Sequence, residues 1–257
     1  MIIRKNAEEV ERIAAAGEVV ARCLDMLRAK SRAGVTTAEL DKAAEKFIRS
    51  QGGEPAFKGY RGFPASICAS PNSMVVHGIP GSYTLERGDI LSLDVGVELE
   101  GWVADAALTV PIRPVSPVAT KLLRVTKEAL EEGVARCRPG ARLGDVSSAV
   151  QERVERDGFS VIRSLVGHGI GRDMHEDPQI PNFGQEGRGP LIEEGMVFCI
   201  EPMVCVGGPN VRMGDDNWAI YSEDGSLTAH FEHTVAVTAA GPRILTPWHP
   251  KQERAAA

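Results

Sequence analysis

Apolar positions recur every three or four residues over residues 7–29. Val10, Ile13, Ala14, Gly17, Val20, Ala21, Leu24 and Leu27 would form one stripe of a helix. Asn6 supplies an N-cap, and Glu9, three residues on, completes a capping box. Gly34 follows as a stop signal. A second helix starts at Thr36 or Thr37, with Thr36 and Glu39 in the same capping relation, and ends at Gly52-Gly53. The second half repeats this plan. Ser116-Pro117 opens a helix that runs to about Arg136 before Pro139-Gly140, and a further helix reaches Gly158. Sliding the chain by 106 residues sets Gly34 on Gly140, Leu40 on Val146, Ala43 on Ala149, Ile48 on Val154 and Gly52 on Gly158. The order helix, helix, strand is therefore expected twice, in pseudo-equivalent halves of about 1–110 and 111–246. Both halves would belong to one domain, residues 1–246, with 247–257 as a loose tail.

Three stretches carry strand patterns instead. Residues 89–110 hold two largely apolar arms around a polar Glu100-Gly101 turn, the signature of a hairpin. Residues 196–202 form a nearly continuous apolar run that ends in Glu201, as in a strand buried on both faces. Residues 229–237 read as a second apolar strand with Glu232 inside it. The expected class is α/β (α+β), with mixed or antiparallel sheets covered by four helices on one side.

The acidic residues in these strands change the picture. Asp94 and Asp105 stand eleven residues apart on the hairpin. A tight loop centred on Leu99 and Glu100 would pair 94 directly with 105, with Cβ atoms roughly 5 Å apart on one face. Two ionised carboxylates at that distance repel by about 3 kcal/mol at an effective dielectric near 20. A shared proton or a divalent cation is the usual compensation. Further ligand candidates are His168, set between glycines in Gly167-His168-Gly169-Ile170-Gly171, and the strand carboxylates Glu201 and Glu232. Taken singly, each has an ordinary explanation: a turn cap, a surface charge, a strand end or a satisfied core histidine. Recurrence at five positions on apolar strands points to a metal centre. Five protein ligands are too many for one catalytic zinc and suit two divalent ions about 3.5–4 Å apart. Asp94 and Asp105 come from the first half and the other three from the second, so the site would lie at the seam between them.

Composition narrows the class. The chain has 257 residues, 43% of them hydrophobic, and a net charge of −6, which gives no general affinity for nucleic acid. No run approaches the roughly 20 apolar residues of a membrane span, and the first residues lack the long apolar region of a signal peptide. Cys23, Cys68, Cys137, Cys199 and Cys205 are odd in number and form no CxxC pair, which favours a reducing, cytoplasmic setting with free thiols.

Several motifs occur together and in order: Val76-His77-Gly78-Ile79-Pro80, Leu93-Asp94-Val95-Gly96, Ala104-Asp105, Gly167-His168-Gly169-Ile170-Gly171, Met174-His175-Glu176-Asp177-Pro178, Ile200-Glu201-Pro202-Met203 and Phe231-Glu232-His233-Thr234. Through them the chain resembles the type I methionine aminopeptidases of metallopeptidase family M24, over roughly residues 5–246. The resemblance implies a pita-bread (creatinase/aminopeptidase) fold and removal of the initiator methionine from nascent proteins whose second residue is small. It implies that Asp94 chelates one ion, that Asp105 and Glu232 bridge both, and that His168 and Glu201 serve the other. Glu201 would also act as general base. His175 would bond the scissile carbonyl, and His77 the peptide nitrogen. The methionine pocket maps to Phe57, Tyr60, Phe63, Cys68, His77, Met174, His175 and Trp218. The divalent ions would be Co, Mn, Fe or Zn, and a monovalent Na or K ion would sit near Asn72, Met74 and Thr228. Nascent N-termini are the implied partners, with the ribosome as a possible contact and a monomeric state. Against the family pattern, Phe57 stands for a small Cys, Met174 for an aromatic, Ala106 for Thr and His230 for Gln. The nearest alternative is a Xaa-Pro peptidase of the same fold and ligand set; another is an inert binding homologue.

Overall fold

In the computed structural model, which describes residues 1–248, the four helices stand where the sequence puts them. They are α1 (Ala7–Lys30), α2 (Thr37–Ser50), α3 (Pro117–Ala135) and α4 (Leu143–Glu155). Local chemistry sets their starts. The Asn6 side chain accepts from the Glu9 amide while Glu9 returns to the Asn6 amide, and Thr36 and Glu39 do the same. Ser116 accepts from the Ala119 amide ahead of Pro117. Each such cap satisfies amides that the first helical turn leaves open.

The 106-residue repeat is carried by the backbone. The two-residue strands Glu54–Pro55 and Ser160–Val161 follow α2 and α4 at that same offset. Gly34 and Gly140, which end the turns before those helices, share a φ of 89°. Helix α1 packs on the hairpin strands Ile90–Leu99 and Trp102–Pro111, and α2 packs on α1. Helix α3 packs on α4 and touches Val197–Ile200, Met203–Cys205 and Thr228–His230.

Every strand pairing among the described residues is antiparallel. One sheet pairs Ile90–Leu99 with Glu54–Pro55, Cys68–Pro71 and Trp102–Pro111. A five-stranded sheet runs Gly241–Ile244, His233–Thr238, Val197–Ile200, Val166–Gly169, Glu176–Pro181. Two smaller sheets complete the set: Thr228–His230, Met203–Cys205, Ser160–Val161; and Val211–Met213, Ile220–Ser222, Met74–Val76. No described helix is long and apolar enough to cross a membrane.

Three expectations are corrected. The hairpin turn is Glu100-Gly101, both with positive φ (51° and 75°), so Leu99 faces Trp102 and the register moves by two. Asp94 therefore faces Ala107, and Asp105 faces Gly96. Residues 229–237 are not one strand: Thr228–His230 and His233–Thr238 join different sheets, with Phe231 and Glu232 between them. Trp248, placed at the start of a loose tail, is buried, and its indole donates to the Glu232 carbonyl at 3.2 Å. Residues 249–257 of that expected tail lie outside the described residues.

Candidate metal centre

The register shift leaves the two hairpin aspartates on one face, because a slip of two preserves the alternation of side chains. They are diagonal neighbours, with Cα atoms about 7–8 Å apart. The break at residues 231–232 brings in the next acid. The Glu232 amide donates to the Ala107 carbonyl at 2.9 Å, which anchors Glu232 opposite Asp94's own strand partner. One strand further on, the Thr234 hydroxyl donates to the Asp105 carbonyl at 2.7 Å and accepts from the Asp105 amide at 3.2 Å.

His168 faces this group. Its Nδ1 lies 3.0 Å from the Gly169 carbonyl, which turns Nε2 toward the acids. Nε2 is 3.7 Å from Asp105 Oδ2 and 3.6 Å from Glu201 Oε1. Asp105, His168, Cys199 and Glu232 each offer a ligand atom, all within 4.8 Å of one another. Cys199 was not expected there. Its thiol donates to Asp105 Oδ1 at 2.7 Å. Its position two residues before Glu201 places it on the same strand face, a signal that alternation alone carries.

The electrostatics are those of crowded, desolvated acids. Burial, then the charge of Asp105, holds the Asp94 carboxyl well above the usual carboxylate range. Burial, then Asp105 and Asp94, does the same to Glu201, and burial with Asp105, Glu201 and Asp94 raises Glu232. Burial also raises Asp105, opposed by His168 and by hydrogen bonds from Cys199 and Thr234. Asp94 Oδ1 is buried without a hydrogen-bond partner. Four carboxyls in such a place need protons or cations, and two Asp, two Glu and one imidazole are a fitting donor set for divalent ions.

A cleft of about 290 Å³ opens onto all five of these side chains. Phe57, Tyr60, Phe63, Cys68, His77, His175 and Trp218 line it as well. Cys68 reaches it because it pairs with Asp94 across the sheet. Phe63 and Trp218 meet edge to face with ring centroids 5.1 Å apart. Tyr60 stacks on His175 at 5.3 Å, and its hydroxyl lies 2.9 Å from His175 Nδ1. His175 in turn lies 4.2 Å from the His168 ring, centroid to centroid. Burial, with smaller contributions from His168, Arg61 and His77, pushes the His175 imidazole down to about 3. Burial also lowers His77, whose backbone is held at φ 60°.

Met174 is the one expected pocket residue that does not line the cleft. It is buried behind it: a Cβ on Gly96 would lie 2.7 Å from Met174 Cε and 2.6 Å from Phe57 Cε1, so only glycine leaves room for both. Lining residues that the sequence reading did not place there include Arg61, Leu165 and Met203. Outside the cleft, the Thr228 hydroxyl lies 3.0 Å from the Asn72 carbonyl and 3.1 Å from that of Met74, so two backbone oxygens converge at one point.

Comparison with known proteins gives concordant results. The model of metallopeptidase family M24 matches residues 11–239. A methionine aminopeptidase of Clostridium perfringens is 50% identical over 246 residues, covering 96% of this chain and 99% of that protein. Methionine aminopeptidase 1 of Bacillus subtilis is 48% identical over the same shares of both chains. The crystal structure of a methionine aminopeptidase from Thermotoga maritima superposes with a TM-score of 0.94 at 43% identity, covering 96% of this chain and 99% of that one.

Proposed function

Since the chain belongs to metallopeptidase family M24, we propose that it is a metal-dependent methionine aminopeptidase in which Asp94, Asp105, His168, Glu201 and Glu232 hold two divalent ions. The observation that carries the ligand set is the convergence of four raised carboxyls and one imidazole, with Asp94 Oδ1 buried and unpartnered. Co, Mn, Fe and Zn all suit oxygen donors with a nitrogen. Bound there, the ions supply the Lewis acidity that brings the pKa of water toward 7 and polarises a carbonyl.

The remaining work falls to the protein. Glu201 takes the proton of the attacking water and delivers it to the leaving amine. We assign Nδ1 of His175 as acceptor from the Tyr60 hydroxyl 2.9 Å away, the tautomer that leaves Nε2–H to bond the scissile carbonyl as negative charge develops on it. A neutral His175, as its lowered pKa requires, adds no positive charge beside the cations and keeps one N–H as a donor. His77 bonds the peptide nitrogen. Phe57, Tyr60, Phe63, Cys68 and Trp218 form the wall for the methionine side chain, a polarisable thioether that suits aromatic and sulfur contacts. Met174 backs that wall through Phe57. Nascent polypeptide N-termini with a small second residue are the substrates, met at the ribosome in the cytoplasm by a monomer whose catalytic domain spans 1–246. The converging carbonyls of Asn72 and Met74 support a Na or K ion beside Thr228.

The test is cleavage of Met-Ala-Ser after chelation, with each metal restored in turn. Activity lost with the metal and regained with it is expected. Cleavage of Ala-Pro-Ala in preference to Met-Ala-Ser would instead mark a Xaa-Pro peptidase.

A further inference from the structure

His230 carries chemistry that the five-ligand centre does not use. Its side chain is almost wholly buried, yet neither ring nitrogen has a hydrogen-bond partner. Buried polar atoms are normally satisfied, so two open ring nitrogens call for a partner. Its backbone is fixed. The Thr109 hydroxyl accepts from the His230 amide at 2.9 Å and donates to the His230 carbonyl at 2.8 Å, and Ser92 Oγ lies 2.9 Å from the same hydroxyl. The ring lines the cleft, with Nε2 3.8 Å from Glu201 Oε2.

That separation is too long for a hydrogen bond. It matches the spacings among the acids and imidazole of the centre, where His168 Nε2 lies 3.6 Å from Glu201 Oε1 and 3.7 Å from Asp105 Oδ2. Two donors each about 2.1 Å from a shared ion are separated by roughly 3–4 Å. Glu201 thus has an imidazole off each oxygen, His168 beside Oε1 and His230 beside Oε2.

We infer that His230 Nε2 is a sixth protein ligand, which shares a divalent transition-metal ion with Glu201 Oε2. The inference rests on the metal centre proposed above. A second imidazole shifts the donor set toward Zn, Co and Ni and away from Mn, whose preferred ligands are oxygens. His230 therefore also sets which metal the cleft retains.

The proton NMR spectrum of the Co(II)-loaded protein tests this. A cobalt-bound imidazole whose other nitrogen is protonated gives an exchangeable resonance far outside the diamagnetic range. One such signal is expected from His168 and a second that disappears in His230→Gln. Equilibrium dialysis of His230→Gln and His230→Ala should show one Zn(II) ion released at least about tenfold more readily, a loss seen even when a group that only supports a ligand is removed. Mn(II) affinity should change less than Zn(II) affinity. A wild-type spectrum with a single shifted imidazole proton would overturn the assignment, whether or not either variant folds. Unchanged Zn(II) affinity in folded variants would overturn it too. A wild-type protein that takes up no cobalt at all would instead overturn the metal centre itself.

Discussion

The thiol of Cys199 donates to Oδ1 of Asp105 across 2.7 Å. Burial and the charges of Asp105 and Glu232 push that thiol well above its ordinary range, so it stays protonated and remains a donor. It fixes one oxygen of Asp105 and leaves the other facing His168. Cys199→Ala removes this donor without adding bulk. It is expected to weaken divalent-metal binding by about tenfold in chelator competition, whereas Cys199→Ser keeps a donor and loses much less. Equal metal affinity in Cys199→Ala and wild type would show that the contact is only packing.

Tyr60 and His175 form a second pair whose separation can be measured in rates. Tyr60→Phe keeps the stacked ring and removes the hydroxyl 2.9 Å from Nδ1. Losing one neutral hydrogen bond worth about 0.5–1.5 kcal/mol should lower kcat roughly 2- to 12-fold with KM nearly unchanged. His175→Ala removes the proposed donor to the developing oxyanion and should lower kcat by about 10²–10³, with metal content intact. Turnover unchanged in a fully metallated His175→Ala would take His175 out of the mechanism.

The loop that carries His175 is tied to the start of the chain. Lys5 forms an ion pair with Glu176, and both side chains are almost fully buried. Glu176 Oε1 also accepts from the Arg172 amide at 2.9 Å and the Asp173 amide at 3.3 Å. Lys5→Met leaves the carboxylate uncompensated, which typically costs about 3–5 kcal/mol. A fall in Tm on the order of 10 °C is expected. The double variant Lys5→Met, Glu176→Leu should recover much of it. A single variant that melts with the wild type would mean that the pair adds no stability.

Metal removal should reverse the usual effect of a carboxylate. Asp94, Glu201 and Glu232 have folded values raised above their unfolded ones. Without metal the folded chain therefore holds the extra protons. That stability is full below the ordinary carboxylate range and is lost as pH rises through the raised values. His175, His230 and His233, each pushed down to about 3 chiefly by desolvation, act in the opposite sense, but only below their ordinary 6.5. Above the range in which the histidines titrate the carboxyls set the slope, so the chelated protein should melt at lower temperature as pH rises further. Metal-loaded protein should not follow that slope. Asp94→Asn should raise the Tm of the chelated protein by about 2–4 °C, equivalent to roughly 1 kcal/mol, while weakening metal binding. Calorimetry with and without chelator across this range checks both, and a chelated Tm that rises with pH contradicts them.

Features fixed by neighbours in sequence were legible before the fold was known. The capping pairs Asn6 with Glu9 and Thr36 with Glu39, the Ser116-Pro117 start and the 106-residue offset are all local or periodic signals, and the helices follow them. Where a tertiary contact decided, the reading slipped. The hairpin register turned on which two residues took positive φ, and Glu100 did so beside Gly101. The strand broke at Glu232 because its amide bonds Ala107, far away in the chain. Alternation puts Cys199 on the face of Glu201, but its contact with Asp105 comes through the pairing of its strand with Thr234, which is tertiary. Met174 fell behind the cleft because Gly96 leaves space there.

The most direct test is anomalous diffraction from crystals of the protein grown with Mn(II). Two peaks about 3.5–4 Å apart, set among Asp94, Asp105, His168, Glu201 and Glu232, are the predicted result. A cleft with no anomalous peak, and those five side chains turned away from one another, would contradict it.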